Sequence, residues 1–265
     1  MTNLLKRSTS GFIYVLLFIS AIMYSKESYV VLISLFGFIS IWEFSKLLKF
    51  KNNSLYLFFI GFIYLPFASF DSSLIIDILL VVSISGSIHL LVNLFLNKKN
   101  YPSNTIQKLD ICIRYLILSL AFLILLPFIN GGYEESIILS LVVFIWVNDS
   151  FAYIVGKNLG KRKLFKSVSP KKTIEGFLGG IFFTLITAFL VSYFCDFLSL
   201  TNLIVISLIA SILGTIGDLV ESKFKRQANT KDSGTIMPGH GGILDRLDSL
   251  LFVAPFVYLY IHYLI

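Results

Sequence analysis

Nine apolar stretches, at about 10–25, 29–45, 55–70, 74–96, 111–131, 135–156, 174–195, 202–220 and 247–265, take up most of this chain. A helix needs about 20 apolar residues to cross a hydrocarbon layer about 30 Å thick, so each stretch is read as a transmembrane helix, the first two being short. Open strands cannot satisfy their backbone groups in lipid, and the stretches lack the alternating pattern of an outer-membrane barrel. The expected fold is all-α, a polytopic integral membrane protein with about nine transmembrane helices. The chain is only 14% charged, against roughly 25% in soluble proteins, which leaves little extramembrane protein and sets function in the membrane or its short loops.

The loops sort by charge. If the nine spans alternate, Lys6 and Arg7, then Lys46, Lys49 and Lys51, then Lys98, Lys99, Lys108 and Arg114 share one side with the sixth and eighth loops. The sixth loop carries Lys157, Lys161, Arg162, Lys163, Lys166, Lys171 and Lys172 with no acid between them. Lys26 falls on the opposite side, among short loops holding Glu27, Asp71, Glu134, Glu135 and Asp196. By the positive-inside rule the N-terminus is cytoplasmic and the C-terminus outside. That partition explains most of the net charge of +7 without nucleic acid.

Cys112 and Cys195 fall near opposite faces, match no zinc or redox spacing and are read as packing residues. Lys6 and Arg7 precede an apolar run as in a signal peptide, but no small-x-small cleavage site follows near 20–26, so the run is read as a retained first span. The chain divides into residues 1–131, spans one to five, and 132–265, spans six to nine with cytoplasmic loops 157–173 and 221–246. Gly176, Gly179, Gly180, Gly214 and Gly217 are read as small residues at helix contacts.

Carboxylates buried in a bilayer are expensive, so their positions are informative. Asp149 lies inside the sixth span, Asp218 at the cytoplasmic end of the eighth, and Asp245 and Asp248 where the ninth begins, all at one depth. Asp245 and Asp248 share a helical face, as do Asp218 and Glu221. Acids in a first helical turn are ordinary dipole partners, but four at one depth, facing basic loops, point to a divalent-cation site. A metal with Lys and Arg is the toolkit of phosphoryl and nucleotidyl transfer.

Lys157 to Lys166 are read as topology determinants. Ser169, Lys171, Lys172 and Thr173, around Pro170, are read as a stiff turn bringing cations and hydroxyls to the mouth of the seventh span, where a phosphate can dock. Gly156 to Arg162 lacks the glycine spacing and the Ser or Thr of a P-loop. His89 and His262 sit in apolar spans as packing residues, whereas His240 lies in a Gly-rich loop. There Pro238, Gly239, Gly241 and Gly242 break helix and let backbone N–H groups approach an anion, just ahead of Asp245 and Arg246.

Ser222, Phe224, Lys225, Arg226, Lys231, Asp232, Gly234, Pro238, His240, Gly241, Gly242, Asp245, Arg246 and Asp248 fall at the spacing of one family motif. With Asn148-Asp149-Ser150 and Ser169 to Thr173 followed by Glu175-Gly176, the C-terminal half resembles the phosphatidate cytidylyltransferases. Met237 stands where that family usually has Leu, Ile or Phe. The resemblance implies transfer of a cytidylyl group from CTP to phosphatidic acid, giving CDP-diacylglycerol and pyrophosphate, in a homodimer of the bacterial cytoplasmic membrane whose active site faces the cytoplasm. It implies Mg2+, helped by K+, with Asp218 and Asp245 as metal ligands and Asp149 and Asp248 as further ones. Lys171, Lys172, Lys225, Arg226, Lys231 and Arg246 then hold phosphates, joined by Ser169, Thr173, Ser222, Asp232 and His240. A CTP-dependent transferase for another lipid phosphate is the nearest alternative. An anion transporter is disfavoured because the charges gather at one face and no inverted repeat is evident.

Overall fold

The computed structural model describes residues 3–67, 73–96, 101–129, 131–194 and 198–265. Asp71, Lys98, Lys99, Cys195 and Asp196, which enter the topology and cysteine readings, lie outside the described residues, as do the side chains of Lys6 and Arg7. The helices are α1 (Asn3–Tyr24), α2 (Lys26–Leu47), α3 (Ser54–Ile63), α4 (Ser73–Leu96), α5 (Thr105–Phe128), α6 (Glu135–Leu159), α7 (Ile174–Val191), α8 (Leu200–Gln227) and α9 (Leu244–Leu264). Between α6 and α7 lies a short hairpin of β1 (Lys163–Phe165) and β2 (Ser169–Thr173). Among the described residues, seven helices, α2 and α4 to α9, are long and apolar enough to cross a membrane, while Thr9–Tyr24 and Ser54–Phe67 are shorter apolar segments. The protein is therefore an all-α polytopic membrane protein, and each apolar stretch of the sequence coincides with a helix.

The bundle is organised around α5. Every side chain from Leu118 to Leu125 is buried, and α2, α4 and α9 pack against it. Two tyrosines tie this centre to the first hairpin of helices. Tyr29 Oη donates to the Leu123 carbonyl at 2.5 Å, and Tyr133 Oη to the Ile22 carbonyl at 2.8 Å. The break between α1 and α2 is a single residue, Ser25, made possible by a capping box in which Ser25 and Ser28 each accept the other's backbone N–H at 3.1 Å.

In the C-terminal half, α6 packs along α7, and α8 along both α7 and α9. The glycines allow this closeness. A Cβ on Gly179 would sit 2.7–2.8 Å from three side-chain carbons of Val155, and one on Gly217 would sit 2.6 Å from Phe252 Cβ.

Two local features differ from the sequence reading. Ser169 to Thr173 is a strand rather than a turn, paired antiparallel with β1 through Lys163–Thr173 and Phe165–Ser169. Pro170 lacks an N–H, which a two-stranded ribbon tolerates. The strand matters because successive side chains point to opposite faces, so Lys171 is exposed while Lys172 turns inward. The second difference is α8, which continues to Gln227, well beyond the apolar stretch that ends near residue 220. Its last turns stay helical because Glu221, Ser222, Phe224 and Lys225 face the protein, and Glu221 and Lys225 pair across one turn.

Gly179→Ala forces Val155 aside and is expected to destabilise the protein by about 1–3 kcal/mol, read as a lower Tm in detergent. Gly61→Ala, where a Cβ meets nothing within 4 Å, is expected to be neutral or to raise stability by up to about 1 kcal/mol through helix propensity.

Candidate active site

The connections α6–α7 and α8–α9 lie at the same end of the bundle and touch. Arg226 Nε donates to the Val168 carbonyl at 3.3 Å, and Lys172 Nζ lies 2.5 Å from Asp218 Oδ2. Thr173 caps α7 by accepting the Gly176 N–H at 3.1 Å. Glu175, in the first turn of α7, accepts the backbone N–H groups of Lys161 and Arg162 at 2.9 and 3.1 Å, folding the hairpin back over that helix start.

Helical spacing then builds the charged cluster. On α8, Asp218, Ser222, Glu221 and Lys225 lie within two turns. Ser222 Oγ donates to Asp218 Oδ1 at 3.1 Å, and Lys225 Nζ donates to Glu221 Oε2 at 2.5 Å. The same ammonium reaches across to α9, giving 2.7 Å to Asp245 Oδ1. Asp245 Oδ2 accepts the Ser233 N–H (2.9 Å), the Ser233 hydroxyl (2.9 Å) and the Gly242 N–H (2.7 Å), so both its oxygens are engaged. Burial disfavours charge on Lys172, yet the adjoining Asp218 carboxylate more than offsets this and holds the ammonium above the usual lysine range.

A cavity of about 410 Å³ opens beside this cluster between α1, α6, α9 and the 228–243 loop. Asp149, His240, Asp245, Arg246 and Asp248 line it together with Tyr14, Val15, Val142, Ile145 and Trp146. The lining therefore offers both charged groups and apolar surface to a bound molecule. Arg246 is anchored by donating to the His240 carbonyl at 2.9 Å, and Ser10 Oγ of α1 lies 2.8 Å from His240 Nδ1.

The four aspartates singled out from the sequence thus share one neighbourhood but fall into two kinds. Asp149 and Asp248 line the cavity without a lysine partner among the ion pairs of the described residues, whereas Asp218 and Asp245 each carry a lysine ammonium, Asp245 lining the cavity as well. Lys225, Ser222, His240 and Arg246 join them, whereas Lys171, Lys231 and Asp232 are exposed and do not line the cavity, Arg226 braces the hairpin, and Ser169 lies in its ladder. Glu221 was noted only for its spacing, and it is fully buried. Glu43 was missed altogether. It is a carboxylate inside an apolar stretch near its C-terminal end, between Trp42 and Phe44, which is the signal that singled out Asp149.

Among the described residues, no three His, Cys, Asp or Glu side chains form a ready-made metal cage. Mg2+ seldom uses one; it takes one or two carboxylates and completes its octahedron with phosphate and water. The donor set suits such an ion. Three carboxylates, Asp149, Asp245 and Asp248, line the cavity, and Asp218 lies on the neighbouring α8. Hard oxygen donors at that concentration fit a divalent cation.

A helical membrane protein with carboxylates, lysines and an arginine around an amphipathic cavity belongs among the membrane-embedded enzymes that handle phosphate-bearing substrates. Comparison with known proteins is specific: residues 5–264 match the Cytidylyltransferase family, and the chain belongs to it. Similar proteins include the phosphatidate cytidylyltransferase of Bacillus subtilis, 34% identical over 97% of both chains. That of Staphylococcus aureus strain COL is 52% identical over 119 residues, 44% of this chain and 46% of its own.

The strand geometry separates neighbouring lysines, and activity should follow it. Lys172→Ala, which strips Asp218 of its cation, is expected to lower turnover by about 100-fold. Lys161→Ala, whose exposed side chain is replaced while its N–H bond to Glu175 is kept, should stay within about two-fold of the parent. Steady-state assays of the purified variants check both.

Proposed function

We propose that the protein transfers the cytidylyl group of CTP to phosphatidate, releasing pyrophosphate and forming CDP-diacylglycerol. The observation that carries this is the cavity, whose lining combines apolar side chains of α1 and α6 with Asp149, Asp248, Arg246 and His240. The Bacillus and Staphylococcus relatives are phosphatidate cytidylyltransferases, which supports the same reading.

A phosphatidate oxygen attacks the α-phosphorus of CTP in line. A new P–O bond forms, the bond to the β-phosphate breaks, and pyrophosphate leaves with its electron pair. Phosphatidate supplies its own nucleophile, so the protein needs no covalent intermediate; its work is positioning and neutralising charge. Arg246, braced on the His240 carbonyl, and Lys172, held by Asp218, present fixed cations to the phosphates. Lys171, Arg226 and Lys231, exposed on the hairpin and the α8–α9 connection, draw in the anionic substrates. Asp245 takes Lys225 and the 233–242 backbone as partners, and so holds the loop that carries His240. Mg2+ would be held by Asp149 and Asp248, with Asp218 behind them, and when bound supplies charge stabilisation to the phosphates and the leaving group. The acyl chains remain against the apolar lining and the lipid.

The site then faces the cytoplasmic side of a bacterial inner membrane, with the N-terminus inside and the C-terminus outside over nine crossings, the shorter α1 and α3 included; the basic loops support this reading through the positive-inside rule. K+ assistance and a homodimer are carried over from the family resemblance.

Turnover in mixed micelles with CTP, Mg2+ and phosphatidate, followed by pyrophosphate release, tests this reading. Product should vanish with EDTA and be absent with ATP; equal activity with a different lipid phosphate would reassign the lipid. Asp218→Asn and Asp245→Asn are each expected to cut turnover by about 100-fold or more in folded protein, and near-parent activity in either would remove its assigned role.

A further inference from the structure

Glu43 lies at the middle of the molecule's polar connections although it comes from α2, in the half of the chain whose motifs say nothing of chemistry. It has no solvent exposure. A carboxylate at this depth persists only with partners, and its partners identify what it does. Helix α9 starts without a cap of its own, because the residue at the cap position is Ile243 and makes no side-chain capping bond. The first N–H groups of a helix need acceptors. Glu43 provides them: Oε1 accepts the Ile243 N–H at 3.2 Å and Oε2 the Leu244 N–H at 2.8 Å. A negative charge there also meets the positive end of the helix dipole.

The loop before α9 is moulded to the same carboxylate. A Cβ on Gly234 or on Gly242 would run into the Glu43 carboxylate, so both positions need glycine for close approach. Ser233 Oγ lies 3.4 Å from Glu43 Oε2 and 2.9 Å from Asp245 Oδ2, between the two acids. Gly242 lies against Glu43 while its N–H donates to Asp245. Whatever fixes Glu43 therefore fixes Ser233, Gly242 and the first turn of α9, and through them Asp245 with its lysine and Arg246 with its bond to the His240 carbonyl.

We propose that Glu43 is a positioning residue for the transfer reaction, acting at a distance by capping α9 and moulding the 233–242 loop. The N-terminal helices then contribute to catalysis by holding that loop rather than by touching substrate. This inference rests on the cytidylyl-transfer reading for its kinetic part alone.

The test uses full-length protein in mixed micelles carrying Glu43→Gln, Glu43→Asp or Ser233→Ala. Glutamine is isosteric but turns an NH2 toward a backbone N–H, leaving a buried donor unpaired. The expected result is a kcat lowered by about ten-fold or more, with KM for CTP within about three-fold and a partial return of kcat in Glu43→Asp. Trypsin cleavage after Lys231, exposed at the start of this loop, should accelerate in Glu43→Gln. A parent kcat and an unchanged cleavage rate in folded Glu43→Gln would overturn the proposal, even if Tm falls. Should Glu43→Gln fail to fold, Ser233→Ala decides: reduced kcat with faster cleavage supports the proposal, and parent values for both overturn it. A parent enzyme with no CTP-dependent turnover would defeat the reaction instead, and the cleavage rates of the same variants still decide whether Glu43 holds the loop.

Discussion

Charge at bilayer depth must be answered by opposite charge or by hydrogen-bond donors, and the C-terminal half of this protein is built from the answers. Lys225 bridges α8 to α9, Lys172 brings the hairpin onto α8, and Asp245 gathers the loop. These links join α8, α9, the hairpin and the loop before α9. In lipid there is little hydrophobic force to register one helix against another, so close glycine contacts between α6 and α7 supply the approach and the charge pairs supply the register.

That division explains why the site can be both dense in charge and selective in shape. The pairs are directional: a strand's alternation sends Lys172 inward and Lys171 outward, and a helix's turn sets Glu221 and Lys225 together. The cavity is lined by charged groups, among them the paired Asp245, together with Tyr14, Val142 and Trp146. An amphiphile meets both kinds of surface at once, which neither a soluble nucleotide site nor a lipid groove provides alone.

Much of this was legible in the sequence, and the rest was not for definite reasons. Apolar runs announce helices because lipid imposes length and composition, and each run coincides with a helix. Asp149, Asp218, Asp245 and Asp248 announce a common site because acids in apolar runs are costly. The partition of those acids was hidden, since it depends on which lysine reaches which oxygen. Ser169 to Thr173 reads as a turn because Pro170 dominates a short window, although the pairing with Lys163 and Phe165 decides the matter. The extension of α8 was hidden because hydropathy falls where side chains turn to polar partners instead of lipid. Glu43 obeyed the rule applied to the aspartates, yet its partners lie some two hundred positions away, beyond the reach of any local pattern.

The cavity draws its walls from elements far apart in the sequence: Gly11 and Tyr14 belong to α1, Asp248 and Leu250 to α9. A ribosome delivering this protein into a membrane thus inserts α1 to α8 before this cavity can close. Until α9 follows, Lys225 lacks one of its two acids and Glu43 lacks its helix start. The site is assembled only when α9 joins α1 and α6, so a chain truncated before α9 is a membrane protein without this cavity.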